Sequence, residues 1–480
     1  MRQLLSIMLL LFWAVSSHAQ VTIGSGEAPL PGAILDLKES GSTTKGLGLP
    51  RVALSAADKL KMGSAPEMAT AAERAEHIGL LVYNTQKAGG LCKGIHVWSG
   101  DSWEPLIPLR TAEEKALTDP NSNTFLLKPN QRISIPVQKA YDVWANEALL
   151  DNLALIGPLT AEVYWSDTED LVEAYLQGGD QGANSIISVY PAAICAGESF
   201  KSGNAVVAVR VNGIIRWSWH IWMTDYDPDD SGATHTYNNG TYSTTFMDRN
   251  LGALSADPTD GLLAMGNTYE WGRKDPFPHP AGRVVDGGGL GYAPEIPLYG
   301  VKTAITQQVT NADPKVNLQA TITDPLMYVS RSGWLYDGIA PYANQDADFW
   351  GGVSGTKGIY DPCPEGWKVP HTVGNVSPWD GLTPSGMIAV SVPGDLINSL
   401  NFSTTVGMYP LAGGRFNGSG SSGGRYQMNF NIGQKAGYWA STSQSYNGAD
   451  VLEIAFPPIS IQTTNTTRKA YGLSVRCAKQ

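Results

Sequence analysis

Two carboxylates in one short segment have the clearest catalytic potential. Glu270 and Asp275 flank Trp271 in the segment Tyr-Glu-Trp-Gly-Arg-Lys-Asp-Pro-Phe-Pro. A carboxylate pair is the usual apparatus of glycoside hydrolysis, provided that the two groups stand at the separation that the mechanism needs. The adjacent Arg273 and Lys274 allow a simpler arrangement, in which each carboxylate forms a local ion pair. We therefore expect local pairing, and a hydrolase acting on polysaccharide is the alternative function.

An acidic run is the pattern that best suits a metal ion. Asp225, Asp227, Asp229 and Asp230 supply closely spaced carboxylates, and hard cations such as Ca²⁺ prefer oxygen ligands. The EF-hand pattern fails, because Asp230 stands where that loop needs glycine and Thr236 stands where it needs glutamate. We favour a solvated acidic linker, with a calcium site as the alternative, and expect no other cofactor.

The remaining sequence motifs give little support to catalysis. The segment 418–423 matches G-x-G-x-x-G as text, but no strand pattern precedes it and no helix pattern follows it. It reads as a flexible glycine- and serine-rich loop. No two histidines beyond the leader have metal-ligand spacing, and no HExxH motif occurs. These histidines are His77, His96, His220, His235, His279 and His371. We therefore predict that the protein is not an enzyme.

Aromatic side chains are the other candidates for ligand contact. The stripe Trp217, Trp219 and Trp222 favours packing in a core or at a domain interface over a stacking platform. Trp334 and Trp379 lie in looser sequence and are predicted to be exposed to a ligand. Further candidates for ligand contact lie in the irregular segment 411–426, namely Arg415, Phe416 and Asn417. Three tryptophans inside stronger motifs are expected to be buried, namely Trp271, Trp367 and Trp439.

Composition and the N-terminus indicate an exported β-rich protein. Of 480 residues, 42% are hydrophobic, only 16% are charged, and the net charge is -11. No basic stripe is present, so nucleic acid is not an expected partner. Residues 1–19 resemble a secretory signal peptide, with Arg2, an apolar run and Ser-His-Ala at its end. The apolar run is too short to span a membrane. We expect a cell-surface or extracellular location, with a periplasm-facing or outer-membrane-associated one as the alternative.

The mature chain begins with a predicted β-rich module at 20–110. Short alternating runs bracket an Ala- and Glu-rich segment at 66–77 that predicts a helix, and 94–103 predicts a β-hairpin. The series Ile-Leu-Asp-Leu, Lys-Gly-Leu-Gly-Leu-Pro-Arg-Val, Gly-Leu-Leu-Val-Tyr-Asn-Thr and Val-Trp-Ser-Gly-Asp-Ser-Trp resembles an N-terminal segment common in exported proteins of Bacteroidetes-type bacteria. It is also similar to β-rich segments of tail-fibre-like proteins. This resemblance implies a surface or spacer role.

A second module is predicted at 123–225. Asn212-Gly213 joins two alternating runs, which is a strong signal for a hairpin. Short strands at regular spacing predict an immunoglobulin-like β-sandwich, although 143–156 has some helical character. The other predicted strands begin near Thr124, Arg132, Ala161 and Ser185.

The third module, at 240–480, carries the most specific resemblance. Its segments include Met247-Asp-Arg-Asn-Leu-Gly-Ala, Asp-Pro-Cys-Pro-Glu-Gly-Trp-Lys-Val-Pro around Cys363, and Gly-Leu-Ser-Val-Arg-Cys ending at Cys477. Together they resemble the Fibrobacter succinogenes major paralogous domain family, a branch of the C-type-lectin-like superfamily. The resemblance implies an α+β domain with a twisted antiparallel core, long irregular loops and ends tied by a disulfide. The sugar-binding triplets of calcium-dependent C-type lectins are absent from this sequence.

Four cysteines in an exported chain permit two disulfides. Cys363 lies in a rigid proline-rich turn, and Cys477 is the only later cysteine, so we predict that these two pair. Closing a loop of roughly a hundred residues stabilises a fold by about 4–5 kcal/mol. Cys92 and Cys195 form either a second disulfide or two free thiols.

These features together predict a mainly β, multidomain, exported surface protein. The expected function is adhesion, in which the lectin-like C-terminal domain binds a glycan or protein partner, fimbrial subunits included. A structural subunit of a fimbria or envelope is a further alternative, and it implies self-association.

Overall fold

The computed structural model describes residues 21–23, 35–37, 47–61, 70–88, 91–106, 112–192, 199–279, 284–285, 291–293, 296–330, 333–336, 346–392, 395–402, 406–416, 429–430 and 432–480. The chain divides into two compact units, residues 1–109 and residues 110–480. Both are built mainly from β-strands, which confirms the predicted mainly β class. Among these described residues, no helix has the length and apolar character needed to cross a membrane.

The described residues of the first unit form six short strands and one helix. Strands β3 to β6 form a four-stranded sheet in the order β3-β4-β5-β6, and β1 pairs with β2 in parallel. The predicted hairpin at 94–103 is confirmed, since β5 and β6 pair with Trp98 opposite Trp103. The elements are β1 Val21–Ile23, β2 Leu35–Leu37, β3 Arg51–Val52, α1 Ala71–Glu76, β4 Leu81–Asn84, β5 Gly94–Trp98 and β6 Trp103–Pro105.

Helix α1 starts where its capping residues dictate. The Thr70 hydroxyl accepts the backbone N–H of Glu73 at 3.3 Å, and the Glu73 carboxylate accepts the backbone N–H of Thr70 at 3.1 Å. This reciprocal capping box satisfies two backbone donors that a helix start leaves without partners. The helix lies within the predicted segment 66–77. It is anchored to the sheet by Trp98, whose indole N–H donates to Arg74 O at 2.9 Å.

The second unit opens with two four-stranded sheets, in the orders β10-β13-β14-β8 and β11-β12-β9-β7. Asn212 and Gly213 have φ values of 53° and 77° and join β13 to β14, as their sequence predicts. The helix in this region ends earlier than the predicted 143–156, because a 3₁₀ turn replaces it after residue 147. The elements are β7 Glu113–Glu114, β8 Thr124–Leu127, β9 Gln131–Pro136, α2 Gln138–Asn146, β10 Leu159–Ser166, β11 Val172–Gln177, β12 Ile186–Pro191, β13 Gly203–Val211 and β14 Ile214–Met223.

The rest of the second unit is a set of mixed and antiparallel sheets. The largest has the order β18-β19-β27-β26-β31-β28-β29-β30, with β17 paired to β31. Smaller sheets have the orders β15-β16-β32-β22, β20-β21 and β23-β24-β25. The elements are β15 Thr234–Asn238, β16 Ser243–Met247, β17 Thr268–Glu270, β18 Val284–Val285, β19 Gly291–Ala293, β20 Thr306–Val309, α3 Pro314–Thr323, β21 Met327–Ser330, β22 Trp367–Lys368, β23 Pro384–Val392, β24 Asp395–Phe402, β25 Met408–Pro410, β26 Gly414–Arg415, β27 Asn429–Phe430, β28 Lys435–Ser443, β29 Gly448–Ala455, β30 Ser460–Arg468, β31 Gly472–Ser474 and β32 Ala478–Lys479.

A hydrophobic core links the early and late parts of the second unit, and three smaller clusters of described residues lie beside it. It extends from Phe125 on β8 to Cys477 and includes residues on both sides of the segment 226–239. Trp217 on β14 packs against Tyr360, with ring centroids 5.7 Å apart. The Lys274 ammonium lies 4.5 Å from the centre of the Trp217 ring. The predicted second and third modules are therefore packed together around shared side chains.

The turn around Cys363 is joined to the C-terminal strands by a disulfide. Cys363 and Cys477 are fully buried and bonded to each other across a sequence separation of 114 residues. The Cys363 N–H donates to the Asp361 carboxylate at 2.8 Å, and the Cys477 carbonyl accepts the Met247 N–H at 3.0 Å. Cys92 is also disulfide-bonded, so it is not a free thiol. Cys195 lies outside the described residues.

Candidate functional site

The predicted carboxylate pair is buried and locally ion-paired. The Glu270 carboxylate accepts a hydrogen bond from the Arg273 guanidinium, and the Lys274 ammonium lies 2.7 Å from an Asp275 oxygen. All four side chains are almost inaccessible to solvent. Burial raises the pKa of Glu270 to about 7, with the Arg273 charge opposing that rise. A substrate would have no route to these carboxylates in this arrangement.

These ion pairs have a structural role that their hydrogen bonds define. Arg273 also donates to the carbonyls of Pro325 and Met327, at 3.1 Å and 2.5 Å. Lys274 donates to the Ser218 carbonyl on β14 at 3.0 Å. The segment after β17 therefore connects the start of β21 with the sheet that contains β14.

The prediction that Trp334 and Trp379 are exposed is wrong. Their side chains are 1% and 0% exposed. The Trp334 indole N–H donates to Trp271 O at 2.5 Å, and the Trp379 indole N–H donates to the Tyr409 hydroxyl at 3.1 Å. Each indole thus has its polar atom satisfied inside the core, as is usual for buried tryptophan. Neither ring can serve as a stacking surface for a ligand.

The other tryptophans follow the predicted pattern. The stripe on β14 is part of the core, so its packing interpretation is confirmed. The three tryptophans expected to be buried, namely Trp271, Trp367 and Trp439, are buried. Two of them hydrogen-bond to the backbone of each other's strand region. The Trp271 indole donates to Ala440 O, and the Trp439 indole donates to Tyr269 O, each at 2.8 Å. The buried set is Trp217, Trp219, Trp222, Trp271, Trp367 and Trp439.

The predicted contact segment near 415 divides into three different environments. Arg415 is buried on β26, with its guanidinium 5.4 Å from the centre of the Phe277 ring, so it is not available at the surface. Phe416 is half-buried and packs edge-to-face against Tyr471, with centroids 4.8 Å apart. It lines a small, mainly apolar hollow of about 230 Å³ that Leu473 also borders. Asn417 lies outside the described residues.

The acidic run forms a hydrogen-bonded turn beside a lysine. Asp227 lies 3.2 Å from the Lys128 ammonium and accepts the Asp229 N–H at 3.1 Å. That backbone hydrogen bond, together with the lysine charge, holds the pKa of Asp227 below its usual value. Asp225 and Asp230 are exposed on the same segment. In the described part of the chain, no three acidic, histidine or cysteine side chains are arranged to hold a metal ion.

A groove of about 500 Å³ lies between β8, the acidic turn and the turn that follows Cys363. It presents ammonium groups and carboxylates together over a partly aromatic floor. Burial lowers the pKa of Lys115, whose ammonium donates to the Leu126 carbonyl at the groove wall. Its charged lining residues are Lys115, Lys128, Lys479, Asp227, Asp229 and Glu365, and its aromatic ones are Phe125, Tyr226 and Trp367.

The backbone of β8 also faces this groove. The His220 N–H donates to Asn123 O at 2.8 Å, and the Thr224 N–H donates to Leu127 O at 2.9 Å. In a parallel ladder such bonds involve alternate residues of the partner strand. The backbone groups of Leu126 therefore point away from β14, toward the groove that Leu126 and Lys115 line.

In the first unit, the described residues cover one face of the β3–β6 sheet and leave apolar side chains exposed on the other, open side. Val82, Trp98 and Trp103 point to the covered face and form the core together with Leu54 and Leu60. Strand side chains alternate between faces, so the neighbouring positions point the opposite way. Leu81 and Tyr83 on β4 are 36% and 38% exposed, and Leu106 after β6 is 54% exposed.

We call this open side the outer face. On it, the register places Ile95 opposite Tyr83 and Val97 opposite Leu81. Glu104 stands opposite Val97 on β6, and Arg51 stands opposite Tyr83 on β3. The Arg51 guanidinium lies 5.6 Å from the centre of the Tyr83 ring. The outer face consists of Leu81, Tyr83, Ile95, Val97 and Leu106, with Arg51 and Glu104 on the two edge strands.

The outer face was not predicted from the sequence, although the sequence carries a signal for it. In Leu-Leu-Val-Tyr-Asn at 80–84, large apolar residues occupy both the odd and the even positions, so they point to both faces of the strand. Strands that are apolar on both faces are typical of sheets whose two faces are both covered.

Comparison with known families gives one match, and it falls on this part of the chain. Residues 22–123 match the model of a phage tail like trimerisation region. This match contains all of the outer face and covers less than half of the chain. No curated protein and no solved structure matches the chain.

Proposed function

We propose that this protein is an exported, homotrimeric, non-catalytic surface protein that binds a protein partner through its second unit. The observation that carries the proposal is the coincidence of the trimerisation-region match at 22–123 with an open apolar sheet face. Exposed apolar patches of this kind mark interaction sites in soluble proteins. The signal-peptide pattern at 1–19 supports export.

Several features of the second unit support binding rather than catalysis. Glu270 and Asp275 form buried ion pairs with Arg273 and Lys274, so they do not support the alternative function of a polysaccharide hydrolase. Within the second unit we retain an immunoglobulin-like sandwich at 123–225 and a lectin-like domain at 240–480 as proposals. The stacked sheets at 124–223 and the disulfide-tied C-terminal strands are compatible with them.

The groove beside β8 favours a protein partner over a glycan. Trp334 and Trp379, the aromatic rings predicted to be exposed to a ligand, are buried. The groove instead offers both signs of charge and a strand whose Leu126 backbone faces outward. The Leu126 carbonyl already accepts the Lys115 ammonium, so an extended peptide can use the Leu126 N–H for a backbone hydrogen bond and the flanking charges for side-chain contacts.

The assembly part of the proposal is tested by measuring the molar mass of the mature chain, residues 20–480, by light scattering after size-exclusion chromatography. A mass three times that of one chain is expected. A single-chain mass that persists at the highest attainable concentration would refute the trimer.

The binding part is tested by screening that same chain against a displayed peptide library and a glycan array, each with and without calcium. A peptide hit weakened at least tenfold by Lys128→Glu, and unaffected by Lys435→Glu on β28, is expected. Glycan hits that Lys128→Glu leaves unchanged would contradict a protein-binding groove.

A further inference from the structure

The outer face is well suited to meet other copies of the chain. Its five apolar side chains lie on two adjacent rows of the sheet, at the level of Tyr83 and at the level of Leu81. Of the described residues, the loop 53–61 and helix α1 contribute the contacts on the covered face, through Trp98 and Trp103. The outer face keeps Leu81, Tyr83 and Leu106 in contact with solvent.

The outer face carries a positive charge at one edge of the sheet and a negative charge at the other. Arg51 lies on β3 and Glu104 on β6, and these are the two edge strands. Three strand spacings separate them, or about 14 Å, so they are too far apart to pair within one chain. A trimer with threefold symmetry is built from heterologous contacts, in which one side of a surface meets the opposite side on the next copy.

We infer that the outer faces of three chains meet around a threefold axis, and that the β3 edge of one copy contacts the β6 edge of the next. This inference rests on the proposed trimer and names its contact surface. Burying the five apolar side chains supplies the main driving force, which grows with the apolar area removed from water. Arg51 of each copy then pairs with Glu104 of its neighbour and fixes the direction of the ring, because charged pairs at an interface set register and orientation more than affinity.

The first test replaces apolar residues of the face by aspartate. In Leu81→Asp and Tyr83→Asp, three carboxylates would be forced together at the axis, so the trimer is expected to dissociate to single chains in light scattering. The matched control is Ile156→Asp, which places the same charge on an apolar side chain that is 83% exposed in the second unit. The control is expected to remain trimeric. Circular dichroism reports whether each variant has folded.

The second test introduces no aspartate among the apolar side chains and exchanges the charges of Arg51 and Glu104 instead. Arg51→Glu and Glu104→Arg are each expected to raise the trimer dissociation constant at least tenfold. The double variant restores opposite charges and is expected to regain wild-type assembly. High salt should weaken the wild-type trimer and the double variant alike.

The possible failures are distinct. A wild-type chain that is monomeric refutes the proposed trimer itself. A trimeric wild type whose Leu81→Asp and Tyr83→Asp variants fold and stay trimeric overturns the outer face as the contact and leaves the trimer standing. Loss of assembly in both charge variants without recovery in the double variant refutes the pairing of Arg51 with Glu104.

Discussion

The two units of this chain use apolar residues differently. The four-stranded sheet of the first unit has apolar side chains on both faces, and the described residues of the unit cover one of them. The second unit buries all eleven tryptophans from Trp144 to Trp439. It also buries several ion pairs with both of their partners. The described residues of the first unit therefore leave an apolar surface exposed, whereas those of the second unit bury their large aromatic side chains among themselves.

The largest effect expected within the second unit comes from Cys363→Ser. Loss of a disulfide that closes 114 residues should lower the free energy of unfolding by about 4–5 kcal/mol, because the unfolded chain regains its loop entropy. A denaturant titration measures this, and the trimer mass should stay unchanged if assembly belongs to the first unit. An unchanged midpoint would show that the crosslink is unimportant for stability.

A slightly smaller effect is expected from Arg273→Ala. This change leaves the buried Glu270 carboxylate without its counter-charge, which typically costs about 3–5 kcal/mol. The comparison variant is Glu270→Gln, which keeps the side-chain volume and one acceptor oxygen. That oxygen can accept from Arg273 or from Val329, which now donate to separate carboxylate oxygens, so this variant should cost less than Arg273→Ala. An equal decrease in the free energy of unfolding in the two variants would mean that the unpaired charge of Glu270 is not the main source of the destabilisation.

Acid should weaken the second unit through His220. Burial lowers the pKa of this imidazole to about 3, whereas the unfolded chain has a value of about 6.5. As the pH falls from 6.5 toward 3, the unfolded state takes up a proton that the folded state does not. The unfolding free energy therefore falls by about 1.4 kcal/mol per pH unit from this group. His220→Gln should flatten that slope in urea titrations at pH 4 to 7, and an unaltered slope would assign it to other groups.

The smallest effect is expected in the first unit, from Thr70→Ala. Removing the cap of α1 should cost about 1 kcal/mol, seen as faster hydrogen exchange in the peptide that covers 70–84. Glu73→Gln is the matched control, since glutamine can also complete a capping box. Equal exchange in Thr70→Ala and the wild type would show that assembly, rather than the cap, holds this helix in place.

Local sequence signals predicted the local structure well. Asn212-Gly213 specified a hairpin because both residues accept positive φ, and the run at 94–103 specified another. The fate of Trp379 could not be deduced in this way, because its partners Phe246 and Tyr409 are distant in the chain. A tryptophan in loose sequence is exposed or buried according to those remote contacts.

The order of the C-terminal strands has a consequence for how the second unit forms. Strand β32 pairs with both β16 and β22, and β31 pairs with β17, β26 and β28. Residues 472–479 are thus required by strands that are synthesised up to about 230 residues earlier. Contacts of such long range delay folding. During synthesis, those early strands are made before their partners, so the sheets that contain β31 and β32 cannot close until the end of the chain is available.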